Sequence, residues 1–160
     1  MRLERFRSDC AVFVAPDFLA ALAVAPVFWV GLYAFTHPVV NLSWPFQSPL
    51  RFALLAVFYP VLEEIIFRGW LQEELHKWAL GSRIFARLSL ANLLTSTVFS
   101  IAHVLYHSAR WAAATFFPSL VFGYFKDKSR RLFPSIVLHV FYNAGYFWFF
   151  GASLYPRLGR

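Results

Sequence analysis

Apolar residues fall into five long runs separated by short polar segments. The runs cover residues 11–35, 50–70, 88–106, 111–125 and 132–150. Most match the roughly 17–25 residues a helix needs to cross a bilayer's hydrocarbon core. The fourth run is short and is expected to be tilted or re-entrant. The second is expected to continue as an amphipathic tail to about residue 80. Pro16 and Pro26 are expected kinks in the first run, and Asp17 lies near its end. The segment 36–49 is polar and proline-rich and reads as a loop. The predicted architecture is all-α: a polytopic membrane helix bundle of about five transmembrane helices plus a short amphipathic extension. With no repeat, linker or low-complexity segment, residues 1–160 read as a single domain.

Composition makes the membrane reading firmer. Hydrophobic residues are 59% of the chain, charged residues 14%, and mean hydropathy is +0.55. Soluble domains carry about 25% charged residues, and a chain this short has too little interior to hide so much apolar surface. Twenty Phe, seven Tyr and six Trp suit a lipid-facing surface with interfacial belts. The net charge of +7 does not point to nucleic acid, because the basic residues sit in short clusters between the apolar runs. Their alternation sets an orientation. Arg2, Arg5 and Arg7 precede the first run; Lys77, Arg83 and Arg87 follow the second; Lys126, Lys128, Arg130 and Arg131 follow the fourth. The intervening loops carry only Arg110, so the N-terminus is expected in the cytoplasm and the C-terminus outside, with Arg157 and Arg160 mildly opposing this. The basic start resembles a signal peptide, but the run is long and lacks a clear cleavage signal, so a retained span is expected. Cys10 is the single cysteine, which excludes an intramolecular disulfide and a Cys-based zinc site. Its position permits acylation, though an interfacial thiol is the simpler reading.

Three apolar runs carry ionisable or amide side chains, which are costly in lipid and mark function by default. Glu64 and Arg68 are four apart and share a helix face. Read alone they are a buried clip between helices. Glu63 points about 100° away and has no local partner. Pro60 is expected to start a new helical turn, which would place both glutamates where the helix dipole favours a carboxylate. The third run has Phe99 and His103 four apart; the fifth has His139 and Asn143 four apart. Asn143 alone would be packing glue, but the combination exceeds what stability requires. Asp17, Glu73, Glu74, His76 and Asp127 are expected to be solvated, with His37 and His107 at interfaces.

A carboxylate and an imidazole on neighbouring helices can hold a water and take its proton. A His and an Asn on a third helix can donate to a developing oxyanion. Together these suit hydrolysis of a peptide bond with no protein nucleophile. Other intramembrane designs fail on the residues. His103 and His107 have the separation of a zinc HExxH motif, but Val104 stands where its glutamate should be. Ser153 lacks the GxSG context of a serine protease, since Leu154 follows it, and no Asp lies near a span centre.

The three constellations resemble the CAAX protease and bacteriocin-processing family of glutamic intramembrane proteases, whose pattern is EExxxR, FxxxH and HxxxN on successive membrane helices. Here it reads Glu63-Glu64-Ile65-Ile66-Phe67-Arg68, then Phe99-Ser100-Ile101-Ala102-His103, then His139-Val140-Phe141-Tyr142-Asn143, covering about residues 50–150. The resemblance implies that Glu63 and His103 activate water. It makes Glu64 and Arg68 supports of the site, and His139 and Asn143 the oxyanion donors. Phe67 and Phe99 are expected to contact substrate. No metal and no other cofactor is implied. The expected partners are a membrane-anchored protein or peptide and the lipid bilayer. The chain is short for the family and looks most like the branch associated with bacterial C-terminal sorting tags, the JDVT-CTERM type. That implies a bacterial inner-membrane enzyme cutting near a substrate's C-terminus. CAAX prenyl-protein processing, a non-catalytic scaffold or immunity protein, and a small proton-coupled transporter are the competing readings. With simple vertical spans, His103 falls nearer the outer face than His139, so tilt, a break at Pro60 or a re-entrant fourth span must bring them level.

Overall fold

The computed structural model describes residues 11–154, with side chains to Gly151. Arg2, Arg5, Arg7, Cys10, Arg157 and Arg160, which bear on orientation and acylation, lie outside the described residues. Within them the chain is a bundle of five main helices. Helix α1 is Pro16–Thr36, followed by the short α2, Trp44–Gln47. The long α3 spans 49–76, and a two-residue hairpin, β1 Ile84–Phe85 with β2 Leu88–Ser89, leads out of it. Helices α4, α5 and α6 are Leu90–His103, Ala109–Ser129 and Phe133–Leu154. Among the described residues, α1 is the one helix long and apolar enough to cross a membrane by length and composition alone. Its Val27 and Val30 stay about 70% exposed, which suits a face in contact with lipid.

Several boundaries differ from expectation for local reasons. The fourth helix is not short. Ser108 caps it, its hydroxyl accepting from the Trp111 N–H, and it runs past Phe125 to Ser129 because Pro118 does not stop it. The third helix starts at the Ser89 cap and ends at His103, with residues 104–107 in turns. The amphipathic tail stops at His76, because Lys77 and Trp78 close tighter turns on Glu74 O and Leu75 O. The hairpin that follows was not expected from the sequence. Ala86 and Arg87 at its tip take φ of 48° and 73°, the left-handed pair a two-residue turn needs.

Helix α3 also corrects the expectation at Pro60. The proline starts no new helix. Leu54–Phe58 and Ile65–Leu71 are π-helical, and α-helical turns join them without interruption. The Tyr59 N–H reaches back five residues to Leu54 O, and a widened turn accommodates a proline ring that would clash in a tight one. Both glutamates are therefore mid-helix, where the dipole argument no longer applies.

Ala56, Pro60, Glu64, Arg68 and Gln72 are all buried at a strict spacing of four. In a pure α-helix such a stripe drifts about 40° per step, or roughly 160° over its length. The π turns hold more residues per turn and cancel much of that drift, so one row faces the bundle throughout.

The other helices meet this row closely. On α4, Asn92 sends Nδ2–H to Leu120 O at 3.0 Å and accepts from Ser96 Oγ at 3.1 Å. A β-carbon at Gly123 would lie 2.0 Å from Asn92 Oδ1. Phe18, Ala21, Phe122, Phe125 and Leu138 form the apolar core joining α1 to α5 and α6. Gly123→Ala is expected to cost ~1–3 kcal/mol and to lower the melting temperature in detergent. Gly31→Ala, with nothing within 4 Å of its added methyl, should leave that temperature unchanged or slightly raised. Equal behaviour of the two variants would contradict the close approach of α4 and α5.

Candidate active site

Arg68 is fully buried among four groups. Its Nη1 lies 3.1 Å from Glu64 Oε1, and its Nη2 donates to Ser119 O at 3.0 Å and Ser119 Oγ at 2.6 Å. The guanidinium carbon sits over the Phe99 ring at 4.8 Å and the Phe122 ring at 5.7 Å. The i,i+4 spacing brings Glu64 and Arg68 together, and α5 supplies the remaining acceptors.

Glu64 is equally buried and serves a second partner. His139 Nδ1 lies 2.9 Å from Glu64 Oε1. A carboxylate can only accept, so this nitrogen carries the proton. The other ring nitrogen, Nε2, faces Glu63 Oε2 at 3.6 Å. The ring itself stacks on Phe122, with centroids 4.7 Å apart and planes at 22°. His139 thus bridges the two glutamates. Glu63 differs from its neighbour: it is 30% exposed and makes no ion pair with Arg68.

Phe99 joins the pieces. Its ring lies 5.0 Å from Phe67, 5.9 Å from His139 and 4.4 Å from His103. His103 enters the cluster through this ring, and no hydrogen bond links it to Glu63 among the described residues. The short α4 and the intervening Phe99 put His103 and His139 on one shared ring. His103 Nδ1 is 2.8 Å from Phe99 O. A carbonyl only accepts, so Nδ1 carries the proton and Nε2 of the neutral ring keeps its lone pair. Beyond it His107 lies nearly parallel, with centroids 5.9 Å apart. Partial burial, with a smaller effect of the His103 charge, holds the His107 imidazole below the usual histidine range.

Asn143, one turn beyond His139, donates from Nδ2 to Leu55 O at 3.4 Å. That carbonyl needs an outside donor. Tyr59 N–H, its α partner, is taken by Leu54 O, and the five-residue partner would be Pro60, which has no N–H.

A polar node at the end of α3 was missed in the sequence. Asp127 is partly buried, not solvated: it accepts from Gln72 Nε2 at 2.7 Å and Ser89 Oγ at 2.6 Å, and lies 2.7 Å from His76 Nε2. Beside it Lys126 bonds Glu73, and this bond holds the Glu73 carboxyl below the usual carboxylate range. Asp17, also expected to be solvated, accepts from Tyr124 and Lys128. The strict spacing of four that ends at Gln72 was the available signal for the node, because it carries the inward face on to α5.

Removing one partner of a buried pair leaves an uncompensated charge, at a cost of roughly 3–5 kcal/mol. Arg68→Met should therefore markedly lower the melting temperature or prevent recovery of folded protein. The double variant Arg68→Met with Glu64→Gln should melt above the single one. A single variant melting like wild type would refute the burial of the pair.

The family described as Rce1-like, type II CAAX prenyl endopeptidase Rce1-like, matches residues 45–145, more than half of the chain. No curated protein and no solved structure matches it.

Proposed function

The chain belongs to the Rce1-like family of type II CAAX prenyl endopeptidases, an integral membrane family of CAAX-type proteases, and we propose that it hydrolyses a peptide bond with a glutamate-activated water. The observation that carries the reading is the unequal state of two adjacent carboxylates. Glu64 is committed to Arg68 and His139, whereas Glu63 is partly exposed and held only at 3.6 Å from His139. A base must be able to reach its proton, and Glu63 is the carboxylate free to do so.

In this mechanism Glu63 and His103 orient a water and take its proton, with the His103 lone pair on Nε2 as the second acceptor. The water oxygen bonds to the scissile carbonyl carbon. Asn143 donates to the oxyanion from its second amide N–H, and His139, whose Nδ1–H is held by Glu64, donates there from Nε2–H with both ring nitrogens protonated. The C–N bond then breaks and Glu63 returns the proton to the leaving amine. Glu64 and Arg68 are positioning residues that hold His139. Phe67, in edge contact at 5.0 Å with Phe99, offers the apolar wall for the substrate, while Phe99, expected from the sequence to contact substrate, is buried and backs that wall from inside. The chemistry proposed uses no metal and no other cofactor.

The substrate we assign is a membrane-anchored protein carrying a C-terminal sorting tag of the JDVT-CTERM kind. The family description favours a second substrate, a prenylated CAAX terminus. We place the chain as one domain in the bacterial inner membrane with its N-terminus in the cytoplasm, an orientation supported by the alternating basic loops.

Purified protein in detergent, with chelator present, should cleave a tagged or prenylated peptide. Glu63→Gln and His103→Ala should lose at least ~10²-fold in rate while eluting as folded protein. Cleavage by Glu63→Gln at the wild-type rate would remove Glu63 from the chemistry. A function in cells that survives Glu63→Gln would favour a scaffold.

A further inference from the structure

His107 has no part in the hydrolysis just described, yet it is placed against the imidazole proposed to activate water. Its backbone N–H bonds His103 O at 2.9 Å, closing one α-type turn between the two residues. Residues separated by such a turn present their side chains on one face. The rings lie at 16° to one another, 5.9 Å between centroids. On His103 the Nδ1–H is spent on Phe99 O, which leaves Nε2 as the outward lone pair. A backbone carbonyl on one ring nitrogen and a free lone pair on the other is the usual orientation of a metal-binding histidine.

We propose that His103 and His107 form a two-imidazole chelate for a divalent transition-metal ion, zinc or copper, and that the bound ion inhibits the enzyme. Each metal–nitrogen bond is about 2.0–2.1 Å long, so the two nitrogens must approach more closely than the ring centroids now do. His107 is exposed, and among the described residues no side-chain hydrogen bond restrains it, so rotation about its side-chain torsions closes the gap. Imidazole nitrogens suit copper and zinc, with copper bound more tightly. Among the described residues no group of three or more His, Cys, Asp or Glu is placed to hold a metal ion, so water would fill the remaining coordination positions. The ion takes the His103 lone pair and with it the second acceptor for the attacking water. The inhibitory consequence rests on the role proposed for His103, whereas the chelate itself does not.

The test uses full-length protein in detergent, in a Cys10→Ser background that removes the single thiol. Electron paramagnetic resonance of one equivalent of Cu²⁺ should show two imidazole nitrogens, and Zn²⁺ should displace the copper. In His107→Phe the two-nitrogen signal should vanish and apparent affinity should fall at least roughly tenfold. In the cleavage assay, His107→Phe should keep its basal rate while the Zn²⁺ concentration for half-inhibition rises by at least about the same factor. An unchanged copper spectrum in His107→Phe overturns the chelate, whether or not a cleavable substrate is in hand. A chelate confirmed by resonance, with cleavage indifferent to Zn²⁺, overturns the inhibition and with it the role of the His103 lone pair.

Discussion

A guanidinium cannot remain bare in a low-dielectric interior, and the rest of this bundle is arranged around that constraint. Arg68 has no access to solvent, so its charge must be met inside the protein. Glu64 on its own helix meets the charge, Ser119 on α5 takes two further hydrogen bonds, and the faces of Phe99 and Phe122 cover the plane. Three helices are thereby fixed to one side chain. Glu64 in turn fixes α6 through His139. A buried ion pair adds little net stability. Its contribution here is geometric, since the groups that meet the Arg68 charge come from α3, α4 and α5, and Glu64 holds α6 through His139.

This commitment of Glu64 is also what leaves Glu63 distinct. Two adjacent glutamates on a helix have the same chemistry, and their environments separate them. One faces inward on the buried stripe. The other, about 100° around the helix, stays partly exposed beside the His139 ring. The unequal pair supports the functional reading because the site needs one carboxylate as scaffold and one with room to move a proton. Phe99 has a similar double part, since its carbonyl sets the His103 tautomer while its ring carries contacts to Arg68, Phe67 and His139.

The backbone of α3 bears the cost of keeping this row straight. Five buried residues at intervals of four do not lie along one α-helical face, and the π turns on either side of the glutamates compensate. Such turns strand carbonyl groups, and Pro60 makes the defect at Leu55 complete. The Asn143 amide meets it, tying the last motif to the irregular part of α3. Below the site, Gln72 carries the same row on to Asp127, which gathers Ser89 and His76 at the end of the helix. The polar groups thus form a column from Leu55 to Asp127.

Much of this could be read from the residues. Hydrophobic runs and sparse charge predict a membrane bundle because apolar surface must be buried or lie in lipid, whatever the tertiary packing. The spacing of Glu64 and Arg68 predicts their pairing because one helical turn brings them together, and it leaves Glu63 outside that pair. What the residues did not disclose depends on neighbours from distant parts of the chain. The His139 bridge between the two glutamates, the Ser119 bonds to Arg68 and the burial of Asp127 join positions 38 to 75 residues apart. The uninterrupted helix through Pro60 belongs to the same class. Local propensity predicts a break there, but a widened turn, with Asn143 from α6 supplying the missing donor, lets the helix pass. Periodicity along one segment determines which face is buried; the partner that face meets is decided only when the helices pack.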